Sequence, residues 1–230
     1  MTDHWPGPRP RHVAVLGAAG GLGQGILSVC RDESIGFTAI VRSRPERITH
    51  VPPGSRIAVV DSLADRSALT KAFAGSDAVL AALGVTSTSR DRSAFLSANT
   101  ETVEQAMSDA GVDRILVIST LLTEAPGTPA GLLMRCFSKI PGNVGRGARE
   151  LQAVADALGR GAFSSLRWTL VRGGLNSRGA DEPPVASLNW ETAPNSWKPV
   201  SYRAMGRWML QEAAANAFVR AAPLVSRRRR

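Results

Sequence analysis

The feature that most constrains this chain is a glycine triplet set between its first apolar run and its first amphipathic stretch. Gly17-Ala18-Ala19-Gly20-Gly21-Leu22-Gly23 carries glycines at 17, 20 and 23. The run His-Val-Ala-Val-Leu at 12–16 precedes it and reads as a buried strand. Leu22, Ile26, Leu27 and Val29 follow at helical spacing. A glycine triplet alone says little; between a strand and a helix it has a physical purpose. The chain must turn tightly, the backbone must come close to a pyrophosphate, and the helix must pack close to the sheet. The helix N-terminus then offers free N–H groups and a partial positive charge. Gly17, Ala19, Gly20, Gly21, Leu22 and Gly23 are therefore the expected phosphate cradle of a dinucleotide site.

Downstream, short apolar runs alternate with amphipathic stretches. Residues 37–41, 56–60, 78–83 and 114–119 read as further buried strands, and 65–73 and 92–110 as helices. This alternation predicts a parallel sheet with helices on both faces. The second half is less regular. Residues 123–131 read as a loop, 132–140 as a short helix cut by Pro141-Gly142, 144–159 as a helix and 168–171 as a strand. Residues 173–199, with four prolines, read as mostly irregular, and 202–216 as a last helix. The expected architecture is α/β: a single Rossmann-type domain with a doubly wound parallel sheet over 12–222. Its substrate-covering segments are expected at about 121–145 and 173–200. A flexible arm at 1–11 would precede the domain, and a basic tail at 223–230 would follow it.

Composition narrows the partners. The chain has 230 residues, enough for one such domain. Its longest apolar runs are far too short to cross a bilayer, and residues 1–11 are polar with three prolines. These features predict a cytoplasmic protein with no membrane partner. Cys30 and Cys136 fit no metal or redox spacing, and His4, His12 and His50 cluster with neither, so no metal site is expected. The net charge of +9 raises nucleic acid as a ligand, but the last four residues supply four of those charges. The other arginines are scattered without interleaved aromatics, so a small-molecule ligand is expected instead, bound by a monomer or homodimer.

The end of the second strand refines the cofactor. An acidic residue there would hydrogen-bond the ribose 2′-hydroxyl of NAD. This chain has Arg42-Ser43-Arg44. Guanidinium groups pair with phosphate through charge-assisted, often bidentate bonds. Arg42 and Arg44 thus predict NADPH over NADH, unless both simply face solvent.

Together these motifs resemble the atypical short-chain dehydrogenase/reductases of the NmrA-like and NAD(P)H-binding flavin-reductase-like type. Ala39-Ile40-Val41-Arg42 resembles that family's second strand with its NADP-associated arginine. Val60-Asp61 followed by Leu69, Phe73, Gly75, Asp77 and Val79 to Gly84 resembles its third strand, helix and fourth strand. Ala110-Gly111-Val112-Asp113-Arg114 leading into Val117-Ile118-Ser119-Thr120 resembles its fifth strand. Leu166 to Arg172 with Gly174-Leu175 resembles its sixth strand and the turn over the nicotinamide. The resemblance implies Asp61 and Ser62 near the adenine, Leu83 and Gly84 along the ribose, and Ser119 and Thr120 toward the nicotinamide. That last placement also follows from the rule that ligands sit outside the carboxyl ends of parallel strands.

The chain departs from the family's Tyr-x-x-x-Lys pair. Its one tyrosine is Tyr202, with Gly206 four residues on. Aligning Glu150 with the glutamate that often follows the lysine puts Arg146 in the lysine's place and Gly142 in the tyrosine's. Arginine cannot serve as a proton donor at neutral pH. Gly173 stands where the family usually has proline, which would loosen that turn. The remaining catalytic candidates are Ser119, as a donor to a substrate oxygen or only a strand-end cap, and Lys139, as a desolvated general acid or only a surface lysine. Thr120, Arg146, Gly174, Leu175 and Trp197 are expected around the substrate, with Trp190, Trp197 and Trp208 forming an aromatic pocket or packing the core. Tyr202 is expected to matter little, since it opens the last helix. The leading expectation is an NADPH-dependent reductase of a small aromatic or conjugated carbonyl or quinone-like substrate. The alternatives are an NADP-binding redox sensor without turnover, or an isomerase or cyclase that uses only the shaped pocket.

Overall fold

The computed structural model describes residues 5–84, 96–189 and 198–228. In chain order the elements are β1 (His12–Leu16), α1 (Gly21–Asp32), β2 (Gly36–Val41), β3 (Arg56–Val59), α2 (Arg66–Phe73), β4 (Ala78–Ala81), α3 (Thr100–Asp109), β5 (Arg114–Thr120), α4 (Leu132–Lys139), α5 (Asn143–Gly159), β6 (Arg167–Gly173), β7 (Leu175–Ala180), β8 (Val185–Ser187), α6 (Tyr202–Ala215) and β9 (Leu224–Ser226). Eight strands form one sheet in the order β3-β2-β1-β4-β5-β6-β9-β8. All neighbours run parallel except β8, which is antiparallel to β9.

Side chains alternate across a strand, so each central strand feeds two cores. Val13, Val15, Phe37, Ala39, Leu80 and Leu116 pack under α1 and α6. Ala14, Leu16, Ile40, Val79, Ile115 and Val117 pack under α2, α3 and α5. The fold is therefore a doubly wound, single-domain Rossmann-type α/β structure. No helix among the described residues is long and apolar enough to cross a membrane.

A buried ion pair fastens α6 to the sheet. The Arg114 and Glu212 side chains are 1% and 3% exposed, with 2.9 Å between Nη2 and Oε1. Arg114 Nη1 also donates to Thr169 Oγ1 at 2.8 Å, and the Phe218 amide donates to Glu212 Oε1 at 2.8 Å. Burial lowers the Arg114 pKa to about 10 and raises that of Glu212. At its other end α6 is capped by Ser201, whose hydroxyl accepts from the Ala204 amide at 2.9 Å. The Arg114–Glu212 pair thus holds the C-terminal end of α6 to the sheet, and Arg203 Nη2, 2.7 Å from Asp32 Oδ2, ties its N-terminal end to α1.

Four expectations need correction. The helix expected over 92–110 is described only from Thr100, after a 3-10 turn at Leu96–Ala98; residues 92–95 lie outside the described residues. Residues 190–197 lie outside the described residues, but within 173–199 two strands form, β7 and β8, where no regular structure is expected from the sequence. Their partners are distant, at Val200 and on β9, so local periodicity carries no trace of them. The segment 223–230 is not simply a tail: Leu224–Ser226 is buried as β9 beside β6. Lastly, residues 5–11 are not a loose arm. Trp5 packs on the first core, and the Arg11 and His12 amides donate to Asp77 Oδ2 at 2.6 and 3.0 Å.

Candidate functional site

A cavity of about 950 Å³ runs along the carboxyl ends of the parallel strands. Leu16 at the end of β1, Val41 at the end of β2, Val60 after β3, Ala82 after β4, Ser119 and Thr120 on β5 and Gly173 on β6 line it. It spans the point where β1 lies between β2 and β4 and the winding of the sheet reverses. Open α/β sheets bind ligands at that point.

Gly17, Ala19, Gly20, Gly21 and Leu22 form one wall. Gly17 has φ +78, and a Cβ on it would lie 2.8 Å from the Ala82 carbonyl oxygen. Gly23 is off the wall and buried. A Cβ there would lie 2.4 Å from the Gly17 carbonyl oxygen, so its part is to seat α1 against the turn. Gly20 precedes α1 and supplies no side-chain cap. The first-turn amides of α1 are thus left for an anionic ligand.

At the end of β2, Arg42, Ser43 and Arg44 line the cavity, and Arg47 joins them from the 3-10 turn Pro45–Arg47. None of the three guanidinium groups forms an ion pair among the described residues. Asp61 lies on the wall, with Leu83 and Gly84 farther along. Ser62 does not; its hydroxyl accepts from the Ala64 amide at 3.0 Å and closes a local turn.

Ser119 is 3% exposed, and its Oγ lies 2.8 Å from Thr123 Oγ1. Thr123 is fully buried, and its carbonyl oxygen accepts from Arg172 Nη1 at 3.2 Å. Arg172 Nε donates to the Ala222 carbonyl at 2.8 Å, and burial lowers its pKa. The serine hydroxyl is therefore held by a chain of buried contacts. Gly174, Leu175 and Asn176 continue the wall. Gly173 is not a loosened turn: it pairs with Thr120 and Val225, and a Cβ on it would lie 2.6 Å from Met205 Cε.

Lys139 and Arg146 are absent from the cavity wall. Lys139 is exposed at the end of α4. Helix phase explains Arg146: α5 turns Gly147, Glu150 and Leu151 toward the cavity, at i, i+3 and i+4. Arg146 therefore points elsewhere, to Asn143 Oδ1. Trp190 and Trp197 lie outside the described residues. Trp208 is a core residue, 6.2 Å from the Phe218 ring between centroids.

The wall also holds residues that sequence reasoning did not place there. Glu150 accepts from the Ser97 amide at 2.9 Å and from the Ser97 hydroxyl. Arg47, Gly147, Leu151, Asn176 and Pro199 join it. Tyr202 lines the cavity from the first turn of α6 and lies directly over the glycine loop. A Cβ on Gly21 would lie 2.5 Å from its Cε2. The expectation that Tyr202 matters little, because it opens the last helix and lacks a lysine four residues on, does not place it on the cavity wall, where it stands. The one signal for it is the packing of α6 on α1, which is tertiary.

The cavity fits a dinucleotide: a cradle too tight for Cβ atoms, an uncapped helix N-terminus and, at one end, three cations with no ion pair among the described residues. Comparison with known proteins agrees. The fold matches an epimerase candidate from Bacteroides thetaiotaomicron with TM-score 0.75 and 17% identity, over 96% of this chain and 99% of that one. A wide-type short-chain dehydrogenase/reductase from Veillonella parvula, solved with NADP, gives 0.64 and 18% over 94% of each. ChuY, an anaerobillin reductase from Escherichia coli O157:H7, gives 0.67 and 16% over 94% and 96%. In sequence, no curated protein matches. A family model described as NAD(P)H-binding matches residues 17–210, and with its short-chain-dehydrogenase-like neighbours it agrees with the resemblance read from the motifs. The chain belongs to the NAD(P)H-binding family.

Proposed function

We propose that this protein is an NADPH-dependent reductase of a small aromatic or conjugated carbonyl or quinone-like substrate. One observation carries the reading: the uncapped N-terminus of α1 and the unpaired Arg42, Arg44 and Arg47 line one cavity. An amide cradle suits a pyrophosphate, and the guanidinium cluster suits the extra phosphate of NADPH. Bound there, the cofactor supplies the hydride.

The protein's own residues orient the substrate and stabilise charge on its oxygen, and solvent supplies the proton after hydride transfer. In this reading Ser119 Oγ hydrogen-bonds the substrate oxygen. A hydroxyl hydrogen rotates freely between partners. When Thr123 donates to Ser119, the Ser119 proton is released toward the cavity; when Ser119 donates to Thr123, it is withheld. Leu121, Leu151 and Leu175 give the substrate end an apolar lining that excludes water. Lys139, exposed on α4, takes no part.

A second reading, an NADP-binding sensor without turnover, has one observation in its favour. Two acidic side chains on the wall are poorly placed as proton donors: Glu150 is engaged by Ser97, and Tyr202 has no lysine partner four residues on. The loss of reduced-nicotinamide absorbance with a panel of quinones, enones and aldehydes tests both. NADPH-dependent turnover supports the reductase. Tight NADPH binding without turnover overturns it in favour of the sensor. Conversion of a substrate without NADPH oxidation replaces both with an isomerase.

A further inference from the structure

The face made by α4 and the start of α5 takes no part in the cavity described above, yet it is the most apolar exposed stretch of the described chain. Leu132 is 74% exposed, Leu133 53%, Phe137 39%, Ile140 40% and Val144 56%. At about 100° per residue, Leu132, Leu133, Cys136 and Phe137 share an arc roughly 140° wide. Met134 points the other way and is buried. Arg135 and Lys139 border the arc; on α5, Arg146 is half-buried and donates to Asn143 Oδ1, and Arg149 donates to the Ser138 carbonyl at the edge of the face. Residues 125–149 contain these four cations and no aspartate or glutamate. None of the four forms an ion pair among the described residues.

We propose that this face docks the protein on an anionic membrane surface. Leucine and phenylalanine on one arc of a helix, with lysine and arginine at its edge, suit a helix lying in the headgroup boundary of a bilayer. The charge argues against a second copy of the chain. A two-fold interface would set four unpaired cations against four more. An anionic surface instead rewards each cation, about fivefold in partition per residue. Such peripheral contact needs no spanning segment. Because α5 starts on this face and lines the cavity with Gly147, Glu150 and Leu151 one to two turns later, docking would bring a cavity wall close to the bilayer. The proposal does not depend on the reductase reading.

The experiment uses the full chain and vesicles of phosphatidylglycerol with phosphatidylcholine, against phosphatidylcholine alone. Co-sedimentation is measured together with the emission of an environment-sensitive fluorophore on Cys136. That thiol is exposed, whereas Cys30 is buried and its thiol is pushed up to about 12, so labelling is selective. The expected result is binding to anionic vesicles only, with a blue shift at Cys136. The triple variant Leu132→Ser, Leu133→Ser, Phe137→Ser should lose at least about tenfold in partition while keeping its melting temperature and NADPH affinity. Because the chain is basic overall, a second variant changes Arg228, Arg229 and Arg230 to Gln. Binding that vanishes in this tail variant but persists in the triple variant overturns the proposal. So does the absence of vesicle binding, the absence of a shift at Cys136, or a concentration-dependent dimer that the triple variant abolishes.

Discussion

Gly21→Ala tests whether Tyr202 and the glycine loop form one unit. The new methyl would lie 2.5, 2.8 and 3.0 Å from Cε2, Cζ and Cδ2 of Tyr202. Carbon atoms pack comfortably at about 3.5–4.0 Å, so the overlap is roughly 1 Å at Cε2 and falls to about half that at Cδ2. The tyrosine backbone cannot retreat, because its carbonyl already packs against Gly25 and Ser201 caps the helix. The ring must swing, and the cavity is the open side. Overpacking in a closed core costs about 1–3 kcal/mol; with a ring free to swing the low end applies, about 1 kcal/mol, or about 2–4 °C in melting temperature for a chain of this size. Gly23→Ala is the contrast: its methyl meets the Gly17 carbonyl oxygen at 2.4 Å and Ala18 backbone at 2.6 Å, which no side-chain deletion relieves. Thermal unfolding and NADPH calorimetry are run on Gly21→Ala and Gly23→Ala, each with and without Tyr202→Ala. The Gly21→Ala cost should largely disappear in the Tyr202→Ala background, while the Gly23→Ala cost should not change. An equal Gly21→Ala penalty in both backgrounds would refute the contact.

Four further outcomes follow from the site and the frame. Changing Arg42 and Arg44 to Ala should weaken NADPH by about one to two decades and NADH far less, read by calorimetry; equal losses would remove the phosphate assignment. Ser119→Ala should lower turnover by about 10²–10³ with NADPH affinity nearly unchanged, since its hydroxyl is assigned to the substrate oxygen; unchanged turnover would move the chemistry elsewhere. Glu212→Ala strands the buried Arg114 charge and should cost about 3–5 kcal/mol in denaturant unfolding; a change under about 1 kcal/mol would contradict the burial of the pair. The bidentate Arg167 contacts, at 2.7 and 2.8 Å, hold the Asp113 carboxyl below its usual range. Its contribution is therefore present above the unfolded-state pKa and is lost as pH falls through the folded value. Asp113→Asn should flatten acid unfolding in that window, and an unchanged acid limb would show that the pair adds nothing.

What the sequence determined by itself is local. Gly17, Gly20 and Gly23 announce the loop because strand, turn and helix are neighbours in the chain. The core strands β1, β2, β4 and β5 are predominantly apolar rather than alternating, as strands covered on both faces are, so their existence is legible without partners. Arg42 and Arg44 are legible because they follow β2 directly. Ser62, Lys139 and Arg146 are not, since their side-chain directions depend on turn closure and helix phase against a distant cavity. Tertiary structure alone decided the rest. β8 and β9 are three residues each and exist only through each other and β6. The phase of α5 turns Glu150 to the wall, and its partner there, the Ser97 amide, is more than 50 residues away in the chain. Tyr202 covers the phosphate loop only because α6 packs on α1, nearly 180 residues apart in sequence, through glycines that leave no side chain between them. Periodicity records which face of an element is buried, but not which distant element covers it, and that pairing is where the site acquires its remaining wall.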